Sequence, residues 1–320
     1  MSKQKRGLES PSISLTGGLG NQLFQLAFGL WASSNSILTV ESRVGQPRTN
    51  AANAPELCSF ILPRKVIVRE PIKYSNIASK FVNHKLRLGL YKNSYEKLYL
   101  YQIIVGFLAN QSASYILGNK VKVIAGIGNG YSTKLKPIPN AHYVGYFQSY
   151  KWVENDFVKQ QMMSLHISKE GDDLRLLREL AEKEYPLVVH IRLGDYLNDS
   201  DRGIPSVSYY NQAITELWQS GVFSKIWLFS DQADEAVKYI DLKWEKYLRV
   251  IREVDNSSAS TLEAMRLGKG YVIGNSTFSW WGAYLTHSPD ATVIAPYPWF
   301  KNSPSPIELI PQNWQAYDSK

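Results

Sequence analysis

An arginine, a histidine and an aspartate lie close together at the end of an apolar run in the second half of the chain. The segment 187–196 reads LVVHIRLGDY, in which residues typical of a buried strand lead to His190, Arg192 and Asp195. Alternation along a strand places His190 and Arg192 on one face, and Gly194 allows the backbone to turn beside a ligand. A guanidinium stays charged at any relevant pH and pairs with two phosphate oxygens. The segment therefore predicts an oxyanion site, with an Arg–Asp pair that fastens a loop as the alternative.

A second polar cluster lies in the segment 274–285, GNSTFSWWGAYL, which follows a short strand candidate at Tyr271–Ile273. Asn275, Ser276 and Thr277 stand where a helix would begin. Such a position offers unpaired backbone N–H groups and the positive end of a helix dipole. The segment therefore predicts a second contact for phosphate.

Aromatic side chains follow within the same segment. Phe278, Trp280 and Trp281 could form the wall of a site for a flat base or a sugar. Core packing of an amphipathic helix explains the two tryptophans at least as well. The sequence leaves both interpretations open.

A glycine-rich turn near the N-terminus joins a short strand candidate at Ile13–Leu15 to a helix. The pattern is neither the Rossmann fingerprint nor a P-loop, so it indicates only a turn that a ligand can approach closely. Its two amide side chains either contact that ligand or cap the helix. The residues of this turn are Gly17, Gly18, Gly20, Asn21 and Gln22.

Alternating apolar and helical stretches provide the elements that must position these groups. Strand candidates lie at 187–191, 226–230, 271–273 and 293–295, and helical stretches at 172–184, 209–219 and 260–267. This βα alternation predicts a parallel sheet with a site at the carboxyl ends of its strands. Residues 74–111 look largely helical and could form an insertion that shapes an acceptor groove.

Three of these segments, GGLGNQLFQLAFG, HIRLGDY and GNSTFSWWGAYL, resemble in order and spacing the motifs of glycosyltransferase family 11. Members of that family are mainly α-1,2-fucosyltransferases that use GDP-fucose. Shorter similarities occur at 145–152, 208–214, 227–232 and 293–300, so the resemblance runs from about Leu15 to Trp314.

The resemblance implies an α/β fold of the GT-B type, with two Rossmann-type halves and the active site in the cleft between them. Residues 1–165 would form an acceptor-side domain with a helical insertion, and residues 166–320 the domain that binds the GDP-sugar. The implied enzyme is a galactoside α-1,2-fucosyltransferase. It would move L-fucose from GDP-β-L-fucose, with inversion, to the 2-hydroxyl of a β-galactoside during synthesis of O-antigen or another surface glycan.

The sequence leaves other functions open. The donor could be another GDP-sugar, or the fucosyl linkage could be a different one. A noncatalytic carbohydrate-binding protein would use its 9 tryptophans, 20 tyrosines and 11 phenylalanines as stacking surfaces.

The resemblance and the chemistry of the reaction together assign roles to residues. Arg192 would stabilise the leaving diphosphate, and Asp195 would act as a base, brace Arg192 or cap the following turn. Many family members have a second arginine where this chain has Leu193. The predicted donor-binding residues are His190, Gly194, Asp231, Asn275, Ser276, Thr277 and Phe278. For Asp231, which follows the strand at 226–230, a loop cap is the alternative.

The acceptor side is assigned in the same way. The glycine-rich turn would lie near the acceptor or the donor. Tyr146, Gln148 and Trp152 would form the floor for the acceptor sugar, with packing at a domain junction as the alternative.

Metal and cofactor requirements are predicted to be absent. The chain has no His/Cys cluster with metal-ligand spacing. A donor held by arginine and by a helix N-terminus needs no divalent cation, so full activity in EDTA is expected.

Charge and composition limit the partners. The chain has 320 residues, 44% of them hydrophobic, and 36 Lys and Arg against 28 Asp and Glu, a net charge of +8. The basic residues are scattered and form no recognition motif, so nucleic acid is not predicted as a partner. A group of them, Lys80, Lys85, Arg87, Lys92 and Lys97, predicts peripheral contact with an anionic membrane, which would suit a lipid-linked acceptor.

Cysteine content and the N-terminal sequence predict a location. The single cysteine, Cys58, excludes an internal disulfide and fits a reducing compartment. The first residues, MSKQKRGLESPS, lack the apolar region of a signal peptide. Because family members of the animal Golgi carry an N-terminal membrane anchor, the resemblance implies a bacterial, cytoplasmic enzyme. The basic group predicts that it associates peripherally with the inner face of the plasma membrane.

Overall fold

The computed structural model describes residues 10–42, 55–69, 122–131, 136–139, 141–200, 202–302 and 305–320. The chain divides into two compact units, residues 1–58 with 62–165 and residues 59–61 with 166–320. The predicted helical insertion at 74–111 and the basic group from Lys80 to Lys97 lie outside the described residues.

Unit 1 is built on a parallel sheet. Its strands are β1 (Ser12–Leu15), β2 (Leu38–Ser42), β3 (Val66–Arg69), β4 (Lys122–Asn129) and β5 (Ala141–Gln148), and its helices within the described residues are α1 (Leu19–Ser33) and α2 (Asp156–Met163). In the part of the chain that the structure describes, the strand order is β3-β2-β1-β5-β4 and every pair is parallel.

The alternation along β1 separates an apolar face from a polar one. Ile13 lies on the face that α1 covers, because a Cβ placed on Gly29 of α1 would lie 3.3 Å from Ile13 Cγ2. On the other face, the hydroxyls of Ser12 and Ser14 lie 2.7 and 2.9 Å from the two ring nitrogens of buried His142 on β5. A satisfied polar row thus lies inside the first sheet.

Unit 2 is also built on a parallel sheet. Its strands are β6 (Leu187–Ile191), β7 (Ile226–Ser230), β8 (Leu248–Ile251), β9 (Gly270–Val272), β10 (Thr292–Tyr297) and β11 (Gln315–Asp318). Its α-helices within the described residues are α3 (Asp172–Glu184), α4 (Val207–Trp218), α5 (Ala233–Ala236), α6 (Ser258–Met265) and α7 (Thr277–Tyr284). The α/β class with parallel sheets in both halves is confirmed.

The order of these strands creates a crevice. Across the described sheet the order is β8-β7-β6-β9-β10-β11, all parallel. This is the 3-2-1-4-5-6 order of a Rossmann sheet, in which the chain reverses its direction of travel between its first and fourth strands. Ligands bind outside the carboxyl ends of strands at such a switch point. Here the switch point lies between β6 and β9. The segment HIRLGD spans the end of β6 and the turn after it, and GNST comes shortly after β9.

Candidate active site

Arg192 follows β6 directly and lies between two carboxylates. Its Nε and Nη2 donate to Asp195 Oδ1 at 3.1 and 2.9 Å, and its Nη1 lies 3.2 Å from Asp231 Oδ2. The side chain of Arg192 is 37% exposed. The fold therefore brings together three residues that the sequence analysis selected from two different strand ends.

Gly194 is required because Asp231 approaches it closely. Asp231 Oδ1 accepts a hydrogen bond from the Leu193 N–H at 3.0 Å. A Cβ on Gly194 would lie 2.2 Å from Asp231 Oδ2, and Gly194 is not among the glycines with positive φ. The expectation that Gly194 serves a sharp turn is therefore replaced by a steric reason: any side chain here would displace the Asp231 carboxylate.

Asp195 holds an arginine on each of its oxygens. Its Oδ1 accepts from Arg192, and its Oδ2 lies 3.6 Å from Arg202 Nη1. Burial would raise the pKa of Asp195, but the charges of Arg192 and Arg202 and the hydrogen bonds from Arg192 outweigh burial and lower it. A carboxylate with a lowered pKa is a weak base. The geometry thus favours the bracing alternative for Asp195.

His190 is buried beside Arg192 and uncharged. Burial, and to a smaller extent the charge of Arg192, lowers its pKa to about 3. Its side chain is 4% exposed, and its Nδ1 has no hydrogen-bond partner among the described residues. A buried ring nitrogen in this position can take one hydrogen bond from a ligand. The ring centroid lies 6.1 Å from that of Phe278.

The N-terminus of α7 lies on the other side of the switch point. Ser276 is the N-cap, and its side chain accepts a hydrogen bond from the Phe278 N–H at 3.3 Å. Thr277 and Phe278 are half-buried. The helix therefore presents the positive end of its dipole where the sequence predicts a phosphate, and the hydroxyl of Ser276 already serves the helix.

Asn275 connects the two motif loops. Its Nδ2 lies 3.1 and 3.0 Å from the carbonyl oxygens of Arg202 and Gly203, and 3.1 Å from that of Trp299. The side chain is 4% exposed. The amide nitrogen is thus committed to the protein backbone, whereas the buried Oδ1 has no hydrogen-bond partner among the described residues.

The tryptophans of α7 belong to the core. Trp280 and Trp281 are fully buried. Trp280 Nε1 donates to the Leu309 carbonyl at 2.6 Å, and its ring stacks on Tyr284 with centroids 4.6 Å apart. The packing interpretation is the correct one for both residues. Phe278 at the start of α7 and Tyr284 at its end are the half-buried aromatic side chains of this segment.

The glycine-rich turn of unit 1 is organised by Asn21 and Gln22. Gly17 has a φ of +75°, and a Cβ there would lie 2.4 Å from Asn21 Nδ2. Gln22 Nε2 donates to the Gly17 carbonyl at 2.9 Å, and Gln22 Oε1 accepts from the Leu57 N–H at 3.0 Å. Gln22 therefore joins the turn to the backbone of Leu57, and it does not cap α1, whose N-cap has no side-chain hydrogen bond. Gly18 is the N-cap of α1, and Gly20 lies buried in its first turn.

The predicted acceptor residues lie at the end of β5, but they differ in access. Asn21 Oδ1 accepts a hydrogen bond from Gln148 Nε2 at 2.8 Å, which brings the glycine-rich turn and β5 together. Tyr146 is half-buried, and Phe147 between them has a left-handed φ of 52°. Trp152 is fully buried, with its ring centroid 4.9 Å from that of Phe28. It has no surface to offer a sugar, so packing is its role.

Neither a metal centre nor a membrane span is found in the part of the chain that the structure describes. No group of three or more His, Cys, Asp or Glu side chains in these residues could hold a metal ion. No helix in the same residues has the length and apolar character needed to cross a membrane.

Comparison with known proteins identifies the family. The model of glycosyl transferase family 11 matches residues 128–314, which is more than half of the chain. The chain belongs to glycosyltransferase family 11. The matched region contains the arginine motif and the N-terminus of α7, and the glycine-rich turn lies before it.

Relatives in this family include two proteins of Escherichia coli. The chain is similar to an alpha-1,2-colitosyltransferase, with 24% identity over 314 residues, 94% of this chain and 96% of the relative. It is also similar to the O-antigen biosynthesis glycosyltransferase WbnK, with 30% identity over 156 residues, 45% of this chain and 48% of the relative. Among solved structures, the NodZ alpha-1,6-fucosyltransferase from Bradyrhizobium, soaked with GDP-fucose, is similar at 14% identity and a TM-score of 0.43, over 87% of this chain and 93% of that one.

One charged residue of this family 11 site was missed from the sequence. Arg202 lies in the loop between β6 and α4, and its guanidinium carbon is 5.2 Å from the ring centroid of Tyr196. No motif marks Arg202, and its contacts exist only because the loop folds back onto Asp195. Leu193, where many family members have an arginine, is 1% exposed and belongs to the core.

Proposed function

We propose that this family 11 glycosyltransferase moves L-fucose from GDP-β-L-fucose to the 2-hydroxyl of a β-galactoside, with inversion. One observation carries the proposal: at the switch point of a Rossmann-ordered sheet, Arg192, the uncharged His190 and the N-terminus of α7 converge. A fixed cation and a helix dipole on opposite sides of a crevice suit a diphosphate. The ring of Phe278 would then lie against the nucleoside.

The reaction requires a stabilised leaving group. The bond between the anomeric carbon and the phosphate oxygen breaks, and its electron pair leaves with GDP. The acceptor hydroxyl attacks the anomeric carbon from the opposite face and forms the new C–O bond, and its proton passes to solvent. Negative charge grows on the diphosphate, so a preorganised guanidinium stabilises the transition state more than the ground state. We assign this role to Arg192.

Asp195 and Asp231 position that guanidinium. Both carboxylates contact Arg192 from different directions, and Asp231 also fixes the backbone N–H of Leu193. The lowered pKa of Asp195 supports a bracing role over a role as base. Donor binding by these groups needs neither a metal nor a cofactor, and activity in EDTA is expected to equal activity in Mg²⁺.

The acceptor is proposed to be a β-galactoside at the end of a surface glycan, carried on a lipid. The similarity to an O-antigen biosynthesis glycosyltransferase supports this class of acceptor. The net charge of +8 supports a peripheral attachment to an anionic membrane. Sedimentation with anionic vesicles at low salt, and its loss at high salt, is the expected result. An equal amount of protein in the pellet with neutral vesicles would contradict the attachment.

A second donor is favoured by one finding. The relative that aligns with 94% of this chain transfers colitose, which is the 3-deoxy form of L-fucose. GDP-colitose is therefore the second candidate donor. Because the two sugars differ by one hydroxyl, discrimination depends on a hydrogen-bonding group that contacts O3.

A donor screen tests the proposal. The chain is incubated with a β-galactoside and EDTA together with GDP-fucose, GDP-colitose or GDP-mannose, and the product linkage is determined by NMR. An α-1,2-fucosylated galactoside as the main product is the expected result. If product forms only with GDP-colitose, the donor is GDP-colitose and not GDP-fucose. Sugar binding that does not depend on GDP would indicate a noncatalytic carbohydrate-binding protein.

A further inference from the structure

Arg202 contacts the same carboxylate as Arg192, from the other side. Its Nη1 lies 3.6 Å from Asp195 Oδ2, whereas Arg192 binds Asp195 Oδ1. Its Nε lies 3.4 Å from Asp199 Oδ2. Two guanidinium groups thus contact the two oxygens of one carboxylate, in the segment that follows β6.

The backbone of Arg202 is held by the second motif. The Arg202 carbonyl accepts hydrogen bonds from Asn275 Nδ2 at 3.1 Å and from the Lys301 N–H at 3.1 Å. The Arg202 N–H donates to Asp199 Oδ1 at 3.1 Å. Because Asn275 directly precedes the N-cap of α7, these contacts fix Arg202 relative to the helix N-terminus.

A diphosphate carries more negative charge than Arg192 alone can neutralise. Each of the two phosphates of a GDP-sugar carries a negative charge, and Arg192 is already shared by Asp195 and Asp231. The side chain that follows it, Leu193, is apolar and buried. The ion pairs of Arg202 are long and its side chain is 43% exposed, so phosphate oxygens can replace its carboxylate contacts at little cost.

We propose that Arg202 is a second donor-binding residue, whose guanidinium contacts the diphosphate of the GDP-sugar from the side of Asp195 opposite to Arg192. This inference rests on the proposed function, since it requires a nucleoside diphosphate at this site. Arg202 and Arg192 then contact the two phosphates together, from opposite sides of Asp195.

Calorimetric binding of GDP, GMP and guanosine to the full chain and to Arg202→Ala tests the inference. Charge-assisted hydrogen bonds to phosphate are lost in the variant, so the Kd for GDP is expected to rise roughly 10-fold or more, with guanosine unaffected. Arg175→Ala is the matched control, because Arg175 also pairs with an aspartate three residues earlier on an exposed surface. Arg202→Lys, which keeps the charge but loses the fork, is expected to lie between Arg202→Ala and the unaltered chain.

A second measurement distinguishes direct contact between Arg202 and the diphosphate from an indirect effect of Arg202 through Asp195. If Arg202 acted only by holding Asp195, Arg202→Ala would have no effect on GDP binding in an Asp195→Asn background. A loss that persists in that background supports direct contact. GDP affinity unchanged by Arg202→Ala in a folded chain overturns the inference while leaving the proposed function intact. If the unaltered chain binds guanosine and GDP equally or binds neither, the proposed function fails, and this inference fails with it.

Discussion

The guanidinium of Arg192 is oriented by two carboxylates whose contacts a ligand can displace. Its guanidinium is oriented by hydrogen bonds to Asp195 and lies 3.2 Å from Asp231. Its side chain is 37% exposed, and ion pairs with this degree of solvent contact contribute only about 0–1 kcal/mol each. A diphosphate can therefore displace part of these contacts at small cost. The carboxylates orient the arginine before the donor binds.

Gly194→Ala tests the close approach of Asp231. The added methyl group would lie 2.2 Å from Asp231 Oδ2, so the carboxylate must move away from Arg192 and the Leu193 N–H. Such overpacking is expected to lower the free energy of unfolding by about 1–3 kcal/mol. Donor binding should weaken as well.

The measurement is thermal unfolding with and without GDP. Asp231→Ala in the same chain provides the control, because it removes the clashing atom. The cost of Gly194→Ala should be smaller in that background. An equal cost in both backgrounds would mean that the clash with Asp231 is not the cause.

Some of this arrangement follows from sequence and some does not. Arg192 and Asp231 meet because β6 and β7 are neighbouring parallel strands that end at one edge. The βα alternation predicts that both residues follow the carboxyl ends of parallel strands, but it does not predict that the two strands are neighbours. Arg202 reaches Asp195 only through the folded loop, so no local pattern reveals it. Whether Trp152 packs or faces a sugar depends on aromatic neighbours such as Phe28, more than 100 positions away in the chain.

Helix α7 is anchored so that its N-terminus stays at the crevice. Near its middle, Trp280 is buried and bonded to the Leu309 carbonyl. At its C-terminal end, Arg266 Nε donates to the Leu285 carbonyl at 2.7 Å, and buried Glu263 pairs with Arg266. A cation at the C-terminal end of a helix also stabilises the dipole. A helix held at these points presents its N–H groups to a phosphate with little reorganisation.

Ser276→Ala tests the contribution of the helix start. Loss of the N-cap should lower the free energy of unfolding by about 1 kcal/mol, and the loosened first turn should weaken GDP binding. Asn155→Ala is the control, because Asn155 caps α2 in unit 1 by accepting a hydrogen bond from Val158 N–H. Chemical denaturation and GDP titration of both variants are the measurements. If both variants lose stability and lose GDP affinity equally, α7 has no special role in donor binding.

The boundaries of the elements show what periodicity can reveal. Helix α3 and strands β6 and β7 have the predicted bounds, because each combines an unambiguous pattern with clear end signals. Strand β9 begins one residue before the prediction, since a three-residue strand has too few residues to set a period. The order of strands, which creates the switch point, cannot be obtained from local patterns. It depends on which strands pair across the whole unit.

Buried titratable groups in both units link the stability of the whole molecule to pH. Burial lowers the pKa of His190 to about 3 and that of His142 to about 4, so the folded chain binds fewer protons than the unfolded chain below about 6.5. The stability that comes from keeping these two histidines uncharged is fully present above that pH and is lost as the pH falls below it. Glu41 acts in the opposite direction: burial, opposed only in part by Arg69, raises its pKa to about 7. The folded chain favours the protonated, uncharged form of Glu41, so the free energy of unfolding falls as the pH rises from about 4.5 to 7.

Glu41→Gln should therefore change the pH dependence of stability. The raised pKa of Glu41 corresponds to a loss of at most ~3 kcal/mol of stability at pH 8. A neutral amide at this position avoids that loss. The Tm of the variant relative to the unaltered chain should rise between pH 5 and pH 8. Glu179→Gln, on an exposed position of α3, is the control. A Tm difference for Glu41→Gln that does not vary with pH would show that Glu41 is charged in the folded chain.

The whole molecule is proposed to work as a GDP-sugar transferase whose rate depends on Arg192. Acceptor-dependent release of GDP from GDP-fucose, with EDTA present, should fall on the order of 100-fold or more in Arg192→Ala because the leaving diphosphate loses its main cation. The loss should appear in kcat, with guanosine binding retained as evidence of an intact site. Unchanged turnover in a folded Arg192→Ala chain would contradict the assignment of the leaving-group site to this crevice.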